Sequence, residues 1–246
     1  MSAKRTLATA HRALLQLRRD KRTLALLFIV PPLLLYILRY VFDNEPRVFS
    51  SIAPMLLGIF PMVMMFLVTS IATLRERRSG TLERLMTMPV SRFDFVFGYA
   101  LAFSLVAALQ ASIACWVLLG VMGVTVAGGV GATLVGAMAA ALLGTSLGLL
   151  FSAFASTEFQ AVQFMPAVLF PQLLVCGLFI PIDKMADPLQ WLANIMPLTY
   201  SVDAMKQVAD HTDWTATHTH DLLIIVGVSL VALILGALTI RRRTRG

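Results

Sequence analysis

Long apolar runs separated by short polar breaks organise this chain. Six stretches, about 24–42, 51–74, 95–123, 130–155, 161–180 and 222–240, are long enough and apolar enough to predict membrane-crossing helices. The breaks between them differ in charge. Residues 1–22 carry seven Lys and Arg against one acid, Asp20, and Leu7, Ala10, Leu14 and Leu17 recur at helical spacing. That pattern predicts a basic amphipathic helix lying in the cytoplasmic interface. Residues 75–94 gather Arg75, Arg77, Arg78, Arg84 and Arg92 with Glu76, Glu83 and Asp94. Here Gly80 and Thr81 break the incoming helix, Leu82, Leu85 and Met86 form one face of a short helix, and Pro89 stops it. Ser91-x-x-Asp94 then offers a capping box for the next span. The break at 183–221 is long and acidic, with six Asp against Lys184 and Lys206, and predicts short external helices and loop.

Counting only Lys and Arg fixes the expected orientation. Residues 1–22, the 75–94 island and Arg241–Arg245 hold sixteen of the 20 basic residues, so six spans with both ends in the cytoplasm satisfy the positive-inside rule. The expected fold is therefore an all-α polytopic membrane protein, one transmembrane domain over 1–246 with both termini on the cytoplasmic side.

Two spans have internal features. The fourth carries small residues at every fourth position, Ala132, Gly136, Ala140, Gly144, Gly148 and Ser152, a ridge that lets helix backbones approach closely in lipid. The fifth is interrupted by Pro166 and Pro171 and carries Gln163 and Gln172. Broken helices survive in membranes only beside other protein or a cavity, so this span is expected to border a path through the bundle.

Composition agrees with a membrane protein: 58% of the 246 residues are hydrophobic, 13% are charged and mean hydropathy is +0.82. The net charge of +7 sits beside the spans, where it serves topology and anionic headgroups, and nucleic acid is not an expected partner. Cys115 and Cys176 lie in apolar runs and read as packing residues.

Little conventional chemistry is visible. Gly144-Thr-Ser146-Leu-Gly148 matches a G-x-S-x-G nucleophile elbow, which keeps a six-span intramembrane serine hydrolase open as an alternative. None of the four His falls in an expected span, however, so Ser146 lacks a base. His218-x-His220 with Asp213 and Asp221 has no diagnostic metal spacing, and no metal or cofactor is expected on this chain. There is no G-x-x-x-x-G-K-[ST] loop, so ATP would have to be hydrolysed elsewhere and the chain is not expected to be an enzyme. An ATP-independent scaffold or channel is the third reading.

Glu76-x-x-x-Gly80-Thr81-x-Glu83-x-Leu85 with Pro89-Val-Ser91-Arg92 resembles the segment joining spans two and three in permeases of ABC-2 type exporters. Cys176-Gly-Leu-Phe-Ile-Pro181, Leu189-Gln-Trp-Leu-Ala, Met196-Pro-Leu-Thr-Tyr200 and Asp203-Ala-Met-Lys206 resemble that family's span-five exit and external helices. Within that family the chain resembles daunorubicin-resistance and nodulation-factor export permeases. It departs from their pattern at Met196, where asparagine is common, and at Lys206, where arginine is usual. The resemblance implies a half-transporter that pairs with a second permease chain, identical or sibling, and docks two copies of a separate ATP-binding subunit carrying the ATP and Mg. It implies that the helix after Gly80 is the coupling helix, with Glu76, Arg77, Gly80, Thr81, Glu83, Arg84, Leu85, Met86 and Pro89 in the ATPase contact. A route between spans two and five would then pass Met62, Met65, Phe66 and Thr69 on one side and Gln163, Phe170 and Gln172 on the other. An apolar or amphipathic drug-like compound or lipid is the expected cargo.

Overall fold

The computed structural model describes residues 2–78 and 91–239. Among these lie nine α-helices: α1 (Ala3–Arg19), α2 (Lys21–Val41), α3 (Pro46–Arg78), α4 (Arg92–Trp116), α5 (Gly129–Ser152), α6 (Glu158–Val175), α7 (Asp187–Ile195), α8 (Pro197–Asp210) and α9 (Ala216–Thr239). A π-helical turn, Val117–Val121, prolongs α4. Five helices are long and apolar enough to cross a membrane: α2, α3, α4 with its π turn, α5 and α9. The fifth expected span falls on α6, which is not among them: it is 18 residues long and carries Gln160, Gln163 and Gln172.

The capping box expected at the start of α4 is present, with Ser91 Oγ accepting from Asp94 N at 3.0 Å and Asp94 Oδ2 accepting from Ser91 N at 3.1 Å. The other oxygen of Asp94 accepts from Ser2 N at 2.8 Å, which ties the start of α1 to the start of α4. α1 therefore packs its small face, Thr9, Ala10, Ala13 and Leu17, against α4. Gly98 permits this approach, since a Cβ there would lie 2.7 Å from Thr9 Cβ. Leu7 stays 58% exposed on the far side of α1.

α3 is the central helix, and α5 is its main neighbour. The small-residue ridge explains the pairing. A Cβ on Gly144 would strike the Met62 backbone, and one on Gly148 would lie 2.6 Å from Phe66 O. Packing at that distance gains dispersion and close helix contact that larger side chains would forbid.

The segment expected to be an external loop is more deeply integrated than its polarity suggests. Although α8 carries Asp203, Lys206 and Asp210, its Leu198, Val202 and Met205 are fully buried. It packs on α3, α5, α6 and α9. Gly58 of α3 lies against the Ser201 carbonyl, and Gly136 of α5 lies against Met205 Sδ. The apolar residues at i, i+4 and i+7 outweigh the charges because Lys206 and Asp210 stay exposed and Asp203 is only half-buried. Gly177, with φ +86°, supplies the bend after α6 that turns the chain toward α7 and α8.

Candidate functional site

Glu76 lies on the same face of α3 as Thr69 and Thr73, and all three are buried. A carboxylate placed there needs cations and donors around it. α1 supplies them. Arg12 forms a salt bridge with Glu76 and also donates to its Oε2 at 2.9 Å, while Gln16 Nε2 donates to Oε1 at 2.8 Å. Arg12 and Gln16 are one helical turn apart, so both reach the same acid. Tyr99 of α4 completes the cluster by donating to Gln16 Oε1 at 3.3 Å.

Arg75, one residue earlier, faces outward and joins two other helix starts. Its Nε and Nη2 donate to Glu158 of α6 at 3.0 and 3.1 Å, and its Nη1 donates to Asp20 at 3.3 Å. The Thr23 hydroxyl and amide, with Arg75 nearby, hold the Asp20 carboxyl below the usual range. The fork of Arg75 hydrogen bonds does the same to Glu158. Arg77 reaches the last turn of α5, donating to Ser152 O at 2.5 Å, where a cation complements the carbonyl end of the helix. The last turn of α3 is thus fastened to α1, α2, α5 and α6 at once. Between α1, α3 and α4 lies a groove of about 260 Å³ lined by Gln16, Leu17, Asp20, Arg75, Glu76, Tyr99 and Phe103.

This collar of contacts sits immediately before the expected coupling helix. Gly80, Thr81, Glu83, Arg84, Leu85, Met86 and Pro89 lie outside the described residues, so of the expected contact set only Glu76 and Arg77 have a described place. The remainder of the collar, Arg12, Gln16, Asp20, Arg75, Tyr99 and Glu158, is not in the expected set. One signal was available: an acid in helical register with Thr69 and Thr73 on an apolar helix must find a cation.

The expected path residues do not meet on one surface. Met62, Met65, Phe66 and Thr69 are completely buried, with Met62 and Phe66 backbones pressed against Gly144 and Gly148 of α5. They point into the packed bundle because the small ridge draws that face of α3 inward. Gln163 and Phe170, the latter 54% exposed, lie on the open face of α6. Gln172 is buried and spent on structure, donating to Val168 O at 2.9 Å and accepting from Leu198 N at 3.2 Å. Phe60, Val63, Leu67 and Ile71, at helical spacing, form a half-open stripe on α3.

The alternative chemistries find no support in the geometry. Ser146 is buried and its hydroxyl donates to Leu142 O at 2.9 Å, a within-helix bond. His218 Nδ1 lies 3.1 Å from Ala204 O and its ring stands edge-on to Trp214. Among the described residues, no group of three or more His, Cys, Asp or Glu is placed to hold a metal ion. Both cysteines are free and buried.

Comparison with known proteins gives a consistent result. The family model for the ABC-2 type transporter matches residues 4–209. The chain is 28% identical over 157 residues to a probable multidrug ABC transporter permease, YbhR, of Escherichia coli strain K12, covering 64% of this chain and 43% of the relative. It is 26% identical over 141 residues to ABC transporter G family member 20 of Dictyostelium discoideum, covering 57% and 19%. With the inner membrane transport permease YhhJ of Escherichia coli strain K12 it shares 23% identity over 172 residues, covering 70% and 46%. The chain spans less than half the length of each of these relatives.

Proposed function

The chain belongs to the ABC-2 type transporter family, and from that premise we propose that it is the permease of an ATP-driven exporter. In this reading six spans, α6 included, cross the bacterial inner membrane. α1 and the arginine cluster at 241–245 lie on the cytoplasmic side. A second permease chain, the same or a sibling, completes the path. Two ATP-binding subunits supply ATP and Mg, and this chain does no hydrolysis of its own.

The observation that carries this reading is the fastening of the α3 terminus by Arg12, Gln16, Arg75 and Arg77. Force applied to the segment 80–89 by an ATP-binding subunit enters α3 through that terminus. Because α1, α2, α5 and α6 are tied to it, they move with it rather than letting it fray. Glu83 and Leu85 are the residues of that segment that seat in the ATPase, and Glu76 with Arg77 transmits the load. The cargo is driven only as far as its affinity differs between the two states of the paired bundles.

The route lies along the half-open α3 stripe, Phe60, Val63, Leu67 and Ile71, and the open α6 face with Gln163 and Phe170. Those surfaces are apolar with a few amides, which suits an apolar or amphipathic compound such as a drug-like molecule or lipid. The relatives named as multidrug permeases support the same class.

Reconstitution with the ATP-binding subunit tests the reading. Vesicles should accumulate a lipophilic cation or fluorescent lipid only with ATP. Glu83→Arg combined with Leu85→Arg should abolish that transport while the chain still inserts. Transport that persists in the double variant, or that ignores ATP, overturns it.

A further inference from the structure

A cavity of about 220 Å³ lies where the end of α8 meets the starts of α5 and α9, and it shares no residue with the groove beside Glu76. Backbone hydrogen bonds build one wall. Ala127 N and Gly128 N donate to Ala209 O and Val208 O at 3.3 and 2.9 Å, which pins the entry of α5 onto the last turn of α8. Gly128 keeps that approach open, since a Cβ there would lie 3.1 Å from both Val208 O and His211 O. The approach to α9 builds the other wall. The Thr215 hydroxyl accepts from His218 N at 3.0 Å and donates to Gln207 Oε1 at 3.3 Å, while Trp214 Nε1 donates to Thr219 at 2.7 Å.

These bonds use up the donors of Thr215 and Trp214, and what is left over is an acceptor. His218 lines the cavity yet is only 2% exposed. Its Nδ1 lies 3.1 Å from Ala204 O. A carbonyl has no hydrogen to give, so Nδ1 carries the ring hydrogen and Nε2 presents a lone pair. Nε2 has no hydrogen-bond partner, an uncompensated cost for a buried polar atom. Asp213 lines the same cavity, and among the described residues no Lys or Arg does. The Trp214 ring lies beside them, its centroid 4.4 Å from that of His218. A buried lone pair, a carboxylate and an aromatic ring with no fixed cation suit a positive ligand that donates N–H bonds. The cavity is smaller than the pockets that take drug-sized compounds, so that ligand is small.

We propose that this cavity binds a primary ammonium group, carried either by a small free amine or by the ethanolamine head of a phospholipid at the membrane surface. One N–H donates to His218 Nε2, Asp213 balances the charge, and the Trp214 ring packs against the ammonium. The bound group bridges α5, α8 and α9. It makes this end of the bundle responsive to amines without involving the route proposed along α3 and α6.

The test uses the full-length chain in nanodiscs of phosphatidylglycerol, in a buffer free of primary amines. Titration with ethanolamine should give a saturable change in tryptophan emission and raise the melting temperature by a few degrees. Choline, whose nitrogen carries no hydrogen, should bind at least about tenfold more weakly. Asp213→Asn changes an exposed residue and should fold normally. His218→Asn keeps an amide to donate toward Ala204 O and lacks Nε2. Each variant should lose at least about tenfold in affinity for ethanolamine. In nanodiscs that contain phosphatidylethanolamine, a higher melting temperature with no further response to ethanolamine identifies the lipid head as the ligand. An unchanged titration there identifies a free amine. The absence of a saturable response in phosphatidylglycerol overturns the proposal, as does equal affinity for choline or unchanged affinity in both variants. A response to zinc chloride with none to ethanolamine also overturns it, because Nε2 would then serve a metal. No readout involves transport, so failure here leaves the export reading untouched.

Discussion

Arg12 and Glu76 stand 64 positions apart in the chain, yet the Arg12 guanidinium donates to Glu76 Oε2 at 2.9 Å. The pair joins the amphipathic helix α1 to the last turn of α3, just ahead of the segment through which an ATP-binding partner is proposed to act. Glu76 is 6% exposed and Arg12 31%, so the acid is the more desolvated member.

Removing one side of that pair should therefore be asymmetric. Arg12→Ala strands a buried carboxylate and is expected to cost about 3 kcal/mol, whereas Glu76→Gln keeps a hydrogen-bonding group and should cost about 1 kcal/mol. A double-mutant cycle with Arg12→Ala and Glu76→Ala, read by thermal melting in detergent, should give a coupling energy of at least about 1 kcal/mol.

The Arg75 fork predicts an acid-sensitive latch. Asp20 and Glu158 both sit below the ordinary carboxylate range in the folded chain, so their contribution is present at neutral pH. It is lost as the pH falls below about 4, when the carboxylates take up protons. All three groups are partly exposed, which limits the effect to a few tenths of a kcal/mol per pair and makes it salt-sensitive. Arg75→Gln should lower the neutral plateau by that small amount and leave the acid end unchanged, so that the acid limb of the melting profile flattens.

Helix contact on the small ridge should be intolerant of bulk. Gly144→Val would place a branched side chain into the Met62 backbone, and a loss of at least about 3 kcal/mol is expected. Gly131→Ala, at the open start of α5 where a Cβ meets nothing within 4 Å, should be neutral or slightly stabilising. Melting temperatures of the two variants make the comparison.

Gln172 links α6 to the start of α8 by accepting from Leu198 N at 3.2 Å. Gln172→Leu would leave that buried amide without its acceptor, at a cost of about 1–3 kcal/mol. Hydrogen exchange should accelerate at the first turn of α8 while α5 remains protected.

Much of the helix order could be read along the chain, because lipid imposes long apolar runs. The ridge at Ala140, Gly144 and Gly148 and the Ser91–Asp94 box were visible for the same reason: each is a local pattern that needs no knowledge of its partner. The Arg12–Glu76–Gln16 cluster was not, since its members come from helices separated by a whole span. Periodicity says which face a residue occupies, and nothing about what opposes it. The same limit applies to Met62 and Phe66, whose backbones pack against Gly144 and Gly148. Methionine and phenylalanine suit both a ligand path and a packed interior, and only the position of Gly144 and Gly148 decides between them. α8 was underestimated for a different reason: its charges lower its mean hydropathy although Leu198, Val202, Ala204, Met205 and Val208 are buried on its inner side.

Position-specific crosslinking at Leu85, with the chain co-expressed beside its ATP-binding subunit in intact membranes, tests the central claim most directly. A photoreactive residue there should capture that subunit, with a yield that changes between the nucleotide-free and ATP-trapped states. A correctly inserted chain whose position 85 captures nothing in either state, or is reached by a membrane-impermeant reagent from outside the cell, would contradict it.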